Sequence, residues 1–212
     1  MPAKSSASSR GRPRAFDTDA ALGRALNVFW RKGYEGTSLD DLTRAMRINR
    51  PSLYAAFGNK RDLFHRALER YSAGPAGFAL QALEAPTARQ VAERLLRGTV
   101  KLLSNPRNPR GCLLVQAALS CSDEADCVRK ELNARRESLV GALRQRFERA
   151  RAEHDLPAAT NTKDLARFIA TVMHGLCVQA AGGASSAELL RVVKTALQAW
   201  PVSPGNSHGS AD

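Results

Sequence analysis

At 212 residues the chain is long enough for one ordinary domain, or for a small domain of about 50 residues fused to a larger one. Its 32 Lys and Arg against 20 Asp and Glu leave a formal net charge of +12, which suits a polyanionic partner, nucleic acid before an anionic membrane surface. No run approaches the roughly 18 apolar residues of a membrane span, and the polar, basic start lacks the apolar stretch of a secretory signal, so a cytoplasmic protein is expected.

Residues 1–14 (MPAKSSASSRGRPR) are rich in Ser, Gly, Pro and Arg without apolar periodicity, the composition of a disordered basic arm. The charge excess lies toward this end: residues 1–70 carry 14 Lys and Arg against 7 Asp and Glu, and residues 71–212 carry 18 against 13. A first helix is predicted from Asp17, a capping residue, to Gly33, with Leu22, Ala25, Leu26 and Phe29 at helical spacing. Ser38 and Asp41 have the spacing of a capping box for a short second helix, whose apolar face is Leu39, Leu42 and Met46. The turn Arg47-Ile48-Asn49 leads to a third helix, with Asn49 as N-cap, Pro51 in its first turn and Gly58 at its end. Asn59 and Asp62 repeat the capping pattern ahead of a fourth helix from about Lys60. Gly74-Pro75-Ala76-Gly77 breaks the pattern, and longer helices follow near 87–104, 111–121, 124–153, 162–181 and 186–199. In the third of these, Arg135, Arg144, Arg149 and Arg151 mostly solvate the outer side. The tail, residues 201–212, again reads as disordered, and no β-strand alternation is seen. The expected fold is therefore all-α, with about nine helices.

The informative stretch is TSLDDLTRAMRINRPSLYAAFGNK, residues 37–60. Two short helices joined by a tight turn bury little alone, but the shape lets the second enter a major groove while the first crosses the backbone. Thr37 and Ser38 stand at the start of the first helix, and Asn49, Arg50, Ser52 and Tyr54 supply donors at the start of the second. The segments Gly-Tyr-Glu-Gly-Thr-Ser-Leu, Ile-Asn-Arg-Pro-Ser-Leu-Tyr and Phe-Gly-Asn-Lys-Arg-Asp-Leu-Phe resemble, in order and spacing, the TetR family of transcriptional regulators. This signature covers residues 17–71. The resemblance implies a helix-turn-helix DNA-binding domain over 15–71, ending in the start of a connecting helix, and a helical sensor and dimerisation domain over 72–200. It implies phosphate contacts from Thr37, Tyr54 and Lys60, and base-facing positions at Arg50, Pro51 and Ser52. Arg50 has the chemistry for a bidentate guanine contact. Arg47 departs from the family, where glycine is usual at this junction; a positive φ there strains arginine, although its charge also suits a phosphate.

Arg10, Gly11, Arg12, Pro13 and Arg14 resemble the core of an AT-hook, whose arginines lie in a narrow minor groove; the alternative is a solubilising tail. The family resemblance also implies a homodimer on double-stranded operator DNA, paired through the helices near 162–181 and 186–199, although the same apolar stripes also suit an intramolecular core. An effector site is expected among helices 87–104 and 111–153, with Leu95, Leu113, Gln116, Phe147, Phe168 and His174 as candidate lining and ordinary packing as the alternative for each. Cys112, Cys121, Cys127 and Cys177 show no zinc spacing and are expected as free thiols, and no cofactor or metal is expected. Cys112 follows Arg110-Gly111 at a helix start, and some TetR-type regulators with a Gly-Cys-Leu context answer oxidants or electrophiles, so Cys112 is the candidate sensor; a buried, inert thiol is the alternative. The function expected is a repressor released by a small molecule or by cysteine modification, not an enzyme. Two other readings stay open: a non-specific architectural DNA binder, and a thiol-dependent enzyme using these cysteines with His154 or His174.

Overall fold

The structure, a computed structural model, describes residues 16–119 and 126–201; the basic arm with Arg10, Arg12 and Arg14, Cys121 and residues 202–212 lie outside them. The described residues form α-helices and no strand: α1 Thr18–Lys32, α2 Leu39–Met46, α3 Arg50–Phe57, α4 Lys60–Ala73, α5 Phe78–Ala82, α6 Ala88–Leu103, α7 Leu113–Leu119, α8 Asp126–Ala152, α9 Thr162–Ala181 and α10 Ser186–Gln198. All nine expected segments are present. The addition is α5, a single turn inside the expected break, and it has no side-chain cap to announce it. Its Phe78 ring packs on Gly98 of α6 so closely that a Cβ there would lie 2.4 Å from the ring.

Polar caps set the helix starts. Asp17 accepts from the N–H groups of Asp19 and Ala20 at 2.9 and 3.0 Å. Full capping boxes stand at Ser38 with Asp41 and at Asn59 with Asp62. Loss of one such cap costs about 1 kcal/mol, less than the burial of one large apolar side chain at about 1.5–3 kcal/mol, so the caps fix where these short helices begin and burial holds them.

Two apolar clusters organise the described residues. The first gathers Phe29 and Trp30 of α1, Leu42 and Met46 of α2, Leu53 and Phe57 of α3, and Phe64, Leu68 and Tyr71 of α4. It also takes in Leu102, Leu113, Val128 and Leu132, so α6, α7 and the first half of α8 insert into the core of the N-terminal head. The second joins α6, the later part of α8, α9 and α10 around Leu95, Leu96, Leu143, Phe147, Ile169 and Trp200. Trp30 ties the head to the body: its indole N–H donates to the Gly111 carbonyl at 2.9 Å, in a buried bond.

One arginine of α8 is turned inward. Arg146 is buried, and its guanidinium donates to the carbonyls of Leu83, Ala85 and Pro86 at 3.2, 2.8 and 2.9 Å, closing the backbone between α5 and α6. Arg146→Met is therefore expected to lower unfolding stability by about 2–5 kcal/mol, since each buried acceptor left unpaired costs about 1–3 kcal/mol. Urea titration measures this, and a loss below about 1 kcal/mol would show that water replaces the guanidinium freely.

Candidate nucleic-acid interface and effector cavity

The α2–α3 unit is fixed by its turn. Arg47 closes α2 in the left-handed region, φ 60° and ψ 42°, with its N–H directed at the carbonyls of Thr43 and Arg44. The arginine therefore carries the strain expected of it, about 1–2 kcal/mol. Arg47→Gly relieves that strain but adds backbone entropy of about 0.5–1 kcal/mol to the unfolded chain. A net gain of up to about 1 kcal/mol in thermal unfolding is expected; an unchanged or lower Tm would argue against strain at this residue.

Beyond the turn, Asn49 accepts from the Ser52 N–H at 2.8 Å and starts α3, with Pro51 in its first turn. Leu53 and Phe57 point into the head core, which leaves Arg50, Pro51 and Tyr54 exposed at the N-terminal end of the helix, with Ser52 half-buried. Arg50 is held by Asp40 of α2, Nη2 to Oδ1 2.9 Å, and this carboxylate raises the guanidinium pKa. Lys60 at the start of α4 stands 4.5 Å above the Tyr34 ring, and burial presses its pKa below the ordinary lysine value. Asp41 accepts from Lys32 at 2.8 Å and from the Ser38 backbone, which together hold its carboxyl at about 2.

Thr37 departs from its expected role. It is wholly buried, and its hydroxyl donates to the Gly33 carbonyl at 2.6 Å. The side chain locks the turn between α1 and α2 and has no surface to offer a phosphate. Ser38, by contrast, is exposed and committed to the capping box through its oxygen. The same outer groove brings in two residues that the sequence reading missed, Thr43 and Arg44, beside Asp40, Arg47 and Asn49. The signal was available: positions 40, 43, 44 and 47 recur at i, i+3, i+4 and i+7, one face of a helix.

In the body, a cavity of about 240 Å³ lies among α4, α5, α7, α8 and α9. Apolar side chains including Ala79, Leu80, Leu114 and Leu139 make most of its wall, and Cys112, His174, Arg135 and Arg136 bring the chemistry. Arg135 thus stands at the cavity, paired with Glu131 at 2.9 Å, and does not merely solvate α8. Burial, then the charge of Arg136, lower the His174 pKa. Cys112 receives a hydrogen bond from the Tyr71 hydroxyl at 3.3 Å. The hydrogen bond from the Cys177 thiol acts most strongly to lower the Cys112 pKa, outweighing burial; Tyr71 and the N–H groups of Val115 and Leu114 add to it, and the value falls to about 6.

The other candidate lining residues lie elsewhere. Phe147 is fully buried and meets Trp200 edge-on at 5.8 Å, so it is core. Phe168 is 41% exposed on α9 and faces outward. The Gln116 amide packs over Gly111, where a Cβ would come within 2.3 Å of it. Leu95 and Leu113 are core residues of the two apolar clusters.

Residues 21–67 match the bacterial regulatory proteins of the tetR family, and residues 91–196 match the tetracyclin repressor-like C-terminal domain. The HTH-type transcriptional repressor ComR of Escherichia coli K12 is 31% identical over 195 residues, covering 91% of this chain and 93% of that protein. The chain belongs to the TetR family. It is a DNA-binding transcriptional regulator, and α2 and α3 are its helix-turn-helix. Among solved structures, a cysteine mutant of the TetR family regulator CifR, complexed with 26 bp double-strand operator DNA, is 48% identical. It covers 90% of this chain and 100% of its own, with a TM-score of 0.86. Reduced NemR of E. coli shares the TetR fold at 19% identity, with a TM-score of 0.70 over 84% of this chain and 93% of its own.

Proposed function

We propose that the chain is a homodimeric, cytoplasmic repressor that holds a near-palindromic operator through α2 and α3. It leaves the DNA when a small ligand fills the cavity beside Cys112, or when this thiol is modified. The observation that carries the reading is an exposed α3 N-terminus, Arg50 to Tyr54, on a chain 48% identical to one solved on operator DNA. Phosphate contacts are assigned to Ser38, Arg47, Asn49, Tyr54 and Lys60, base edges to Arg50, Pro51 and Ser52, and a minor-groove role to Arg10, Arg12 and Arg14. The relatives' names as repressors and regulators favour gene control over thiol-dependent catalysis.

The dimer face is assigned to α9 and α10. Phe168, Thr171, Gly175 and Val178 recur at helical spacing on the outer side of α9, and Leu190 and Val192 are exposed on α10. Gly175 has open space where a Cβ would stand, which favours close approach of a second helix.

Selection from random duplex DNA tests the reading. Two inverted half-sites about one helical turn apart are expected, bound at least about 10³-fold more tightly than random DNA at the same salt. Equal competition by random duplex would replace the repressor with a non-specific architectural protein.

A further inference from the structure

Three elements meet at one small group of polar atoms inside apolar surroundings. Tyr71 of α4 is wholly buried and donates its hydroxyl proton to the sulfur of Cys112, the residue just before α7, at 3.3 Å; Cys177 of α9, 2% exposed, is the thiol that interacts with the same sulfur. Cys112 alone of the three lines the cavity, together with Ala76, Leu114, Met173 and His174. A small solute in the cavity thus meets one thiol, that of Cys112, while its neighbour Cys177 is kept out of the lining.

We propose that Cys112 and Cys177 form a redox dithiol, in which Cys112 reduces a hydroperoxide that enters the cavity and Cys177 then closes an intrachain disulfide. In the first step the Cys112 thiolate attacks the outer peroxide oxygen. The O–O bond breaks, the alcohol leaves with a proton from water, and Cys112 becomes a sulfenic acid, oxidised by two electrons. In the second step the Cys177 sulfur attacks the Cys112 sulfur. The S–O bond breaks, the S–S bond forms, and hydroxide leaves as water with the Cys177 proton. Two thiols and one hydroperoxide give one disulfide, one alcohol and one water.

The environment assigns the order of the two sulfurs. Cys112 holds thiolate readily, whereas its hydrogen bond to Cys112, burial and the Cys112 charge all raise the Cys177 pKa well above that of an ordinary thiol. Oxidation of Cys112 to the neutral sulfenic acid removes that charge, so the resolving thiol is released only after the first step. Closing the two sulfurs to a bond of about 2.05 Å draws the start of α7 toward α9. It also takes from the buried Tyr71 hydroxyl the acceptor it had. Tyr71 meets Trp30 edge-on at 4.8 Å, and Trp30 holds Gly111, the residue before Cys112, so the change reaches α1 of the head directly.

The effect on DNA rests on the proposed repressor function; the disulfide does not. The test treats the reduced, full-length protein with one equivalent of cumene hydroperoxide. Peptide mass spectrometry without reductant then follows the thiols, and fluorescence anisotropy follows binding to the selected operator. The expected result is a Cys112–Cys177 linked peptide and a loss of operator affinity of about 5–150-fold, both reversed by dithiothreitol. Cys177→Ala is expected to stop at a Cys112 sulfenic acid that dimedone traps. Oxidised Cys112 with Cys177 still free in the parent protein, or a bridge from Cys112 to another cysteine or another chain, would overturn the dithiol. A Cys112–Cys177 bridge that leaves operator affinity unchanged would uphold the thiol chemistry and remove it from the control of DNA binding.

Discussion

Arg50→Ala is expected to weaken operator binding about 5–150-fold and to relax selectivity at one base pair in each half-site. Arg50 stands exposed at the N-terminal end of α3, with its guanidinium held 2.9 Å from Asp40. Such a surface ion pair is weak, because water screens it and both side chains lose rotamer freedom. A guanine edge, with two acceptors in a groove of phosphates, outcompetes it. In the proposed docking, Asp40 is a rival for Arg50 and a negative charge set toward the DNA. Asp40→Asn is accordingly expected to tighten binding while keeping the same preferred sequence, and to steepen the fall of affinity with salt. Binding isotherms on the selected operator and on single-base variants measure both effects. An Arg50→Ala protein with unaltered selectivity would move base reading to Ser52 or to the missed residues Thr43 and Arg44.

The second large effect concerns Cys112. With its pKa lowered to about 6 from an ordinary thiol value near 9, the group is deprotonated as pH rises through 6 and is already mostly thiolate at neutrality. The groups around it are Tyr71 on α4, Cys177 and His174 on α9, and Arg135 and Arg136 on α8. Iodoacetamide labelling at Cys112 is expected to rise with a midpoint near pH 6 and to be flat above pH 7. A more acidic thiol is also a poorer nucleophile, by a Brønsted slope of about 0.4–0.5. The gain over the unfolded chain is therefore only a few-fold at pH 7 but about tenfold or more at pH 5.5, where the unfolded thiol is almost wholly protonated. Cys177→Ala removes the strongest donor and Tyr71→Phe a weaker one, so both are expected to move the midpoint upward, the first further. A midpoint above pH 8 in the parent protein would sink this account of the thiol.

The head was legible because its instructions are local. Ser38 with Asp41, Asn49 with Ser52, and Asn59 with Asp62 are capping pairs three residues apart, and the structure forms all of them. What escaped the sequence depends on partners far along the chain. An arginine in a charged helix reads as solvated, so the inward turn of Arg146 onto Leu83, Ala85 and Pro86 had no sequence signal. A threonine before a helix reads as a surface cap, but Thr37 finds Gly33 four residues back and is buried. In the sequence a helix start and Arg110 point to Cys112; its acidity comes first from Cys177, on a helix that lies beyond α8 in the chain. Phe147 and Phe168 both suit a cavity wall or ordinary packing by sequence, and rotation about their helices sends one into the core and the other to the surface.

The placement of the two tryptophans gives the molecule an internal optical readout. Trp30 belongs to the head cluster and Trp200 to the body cluster, and the sequence holds no third. In a Trp200→Phe protein the emission reports from a single ring, bonded to Gly111, the residue before Cys112, and edge-on to Tyr71. Changes at Cys112 then become visible as a change in colour and intensity of the protein's own light, without a label and before any DNA is added.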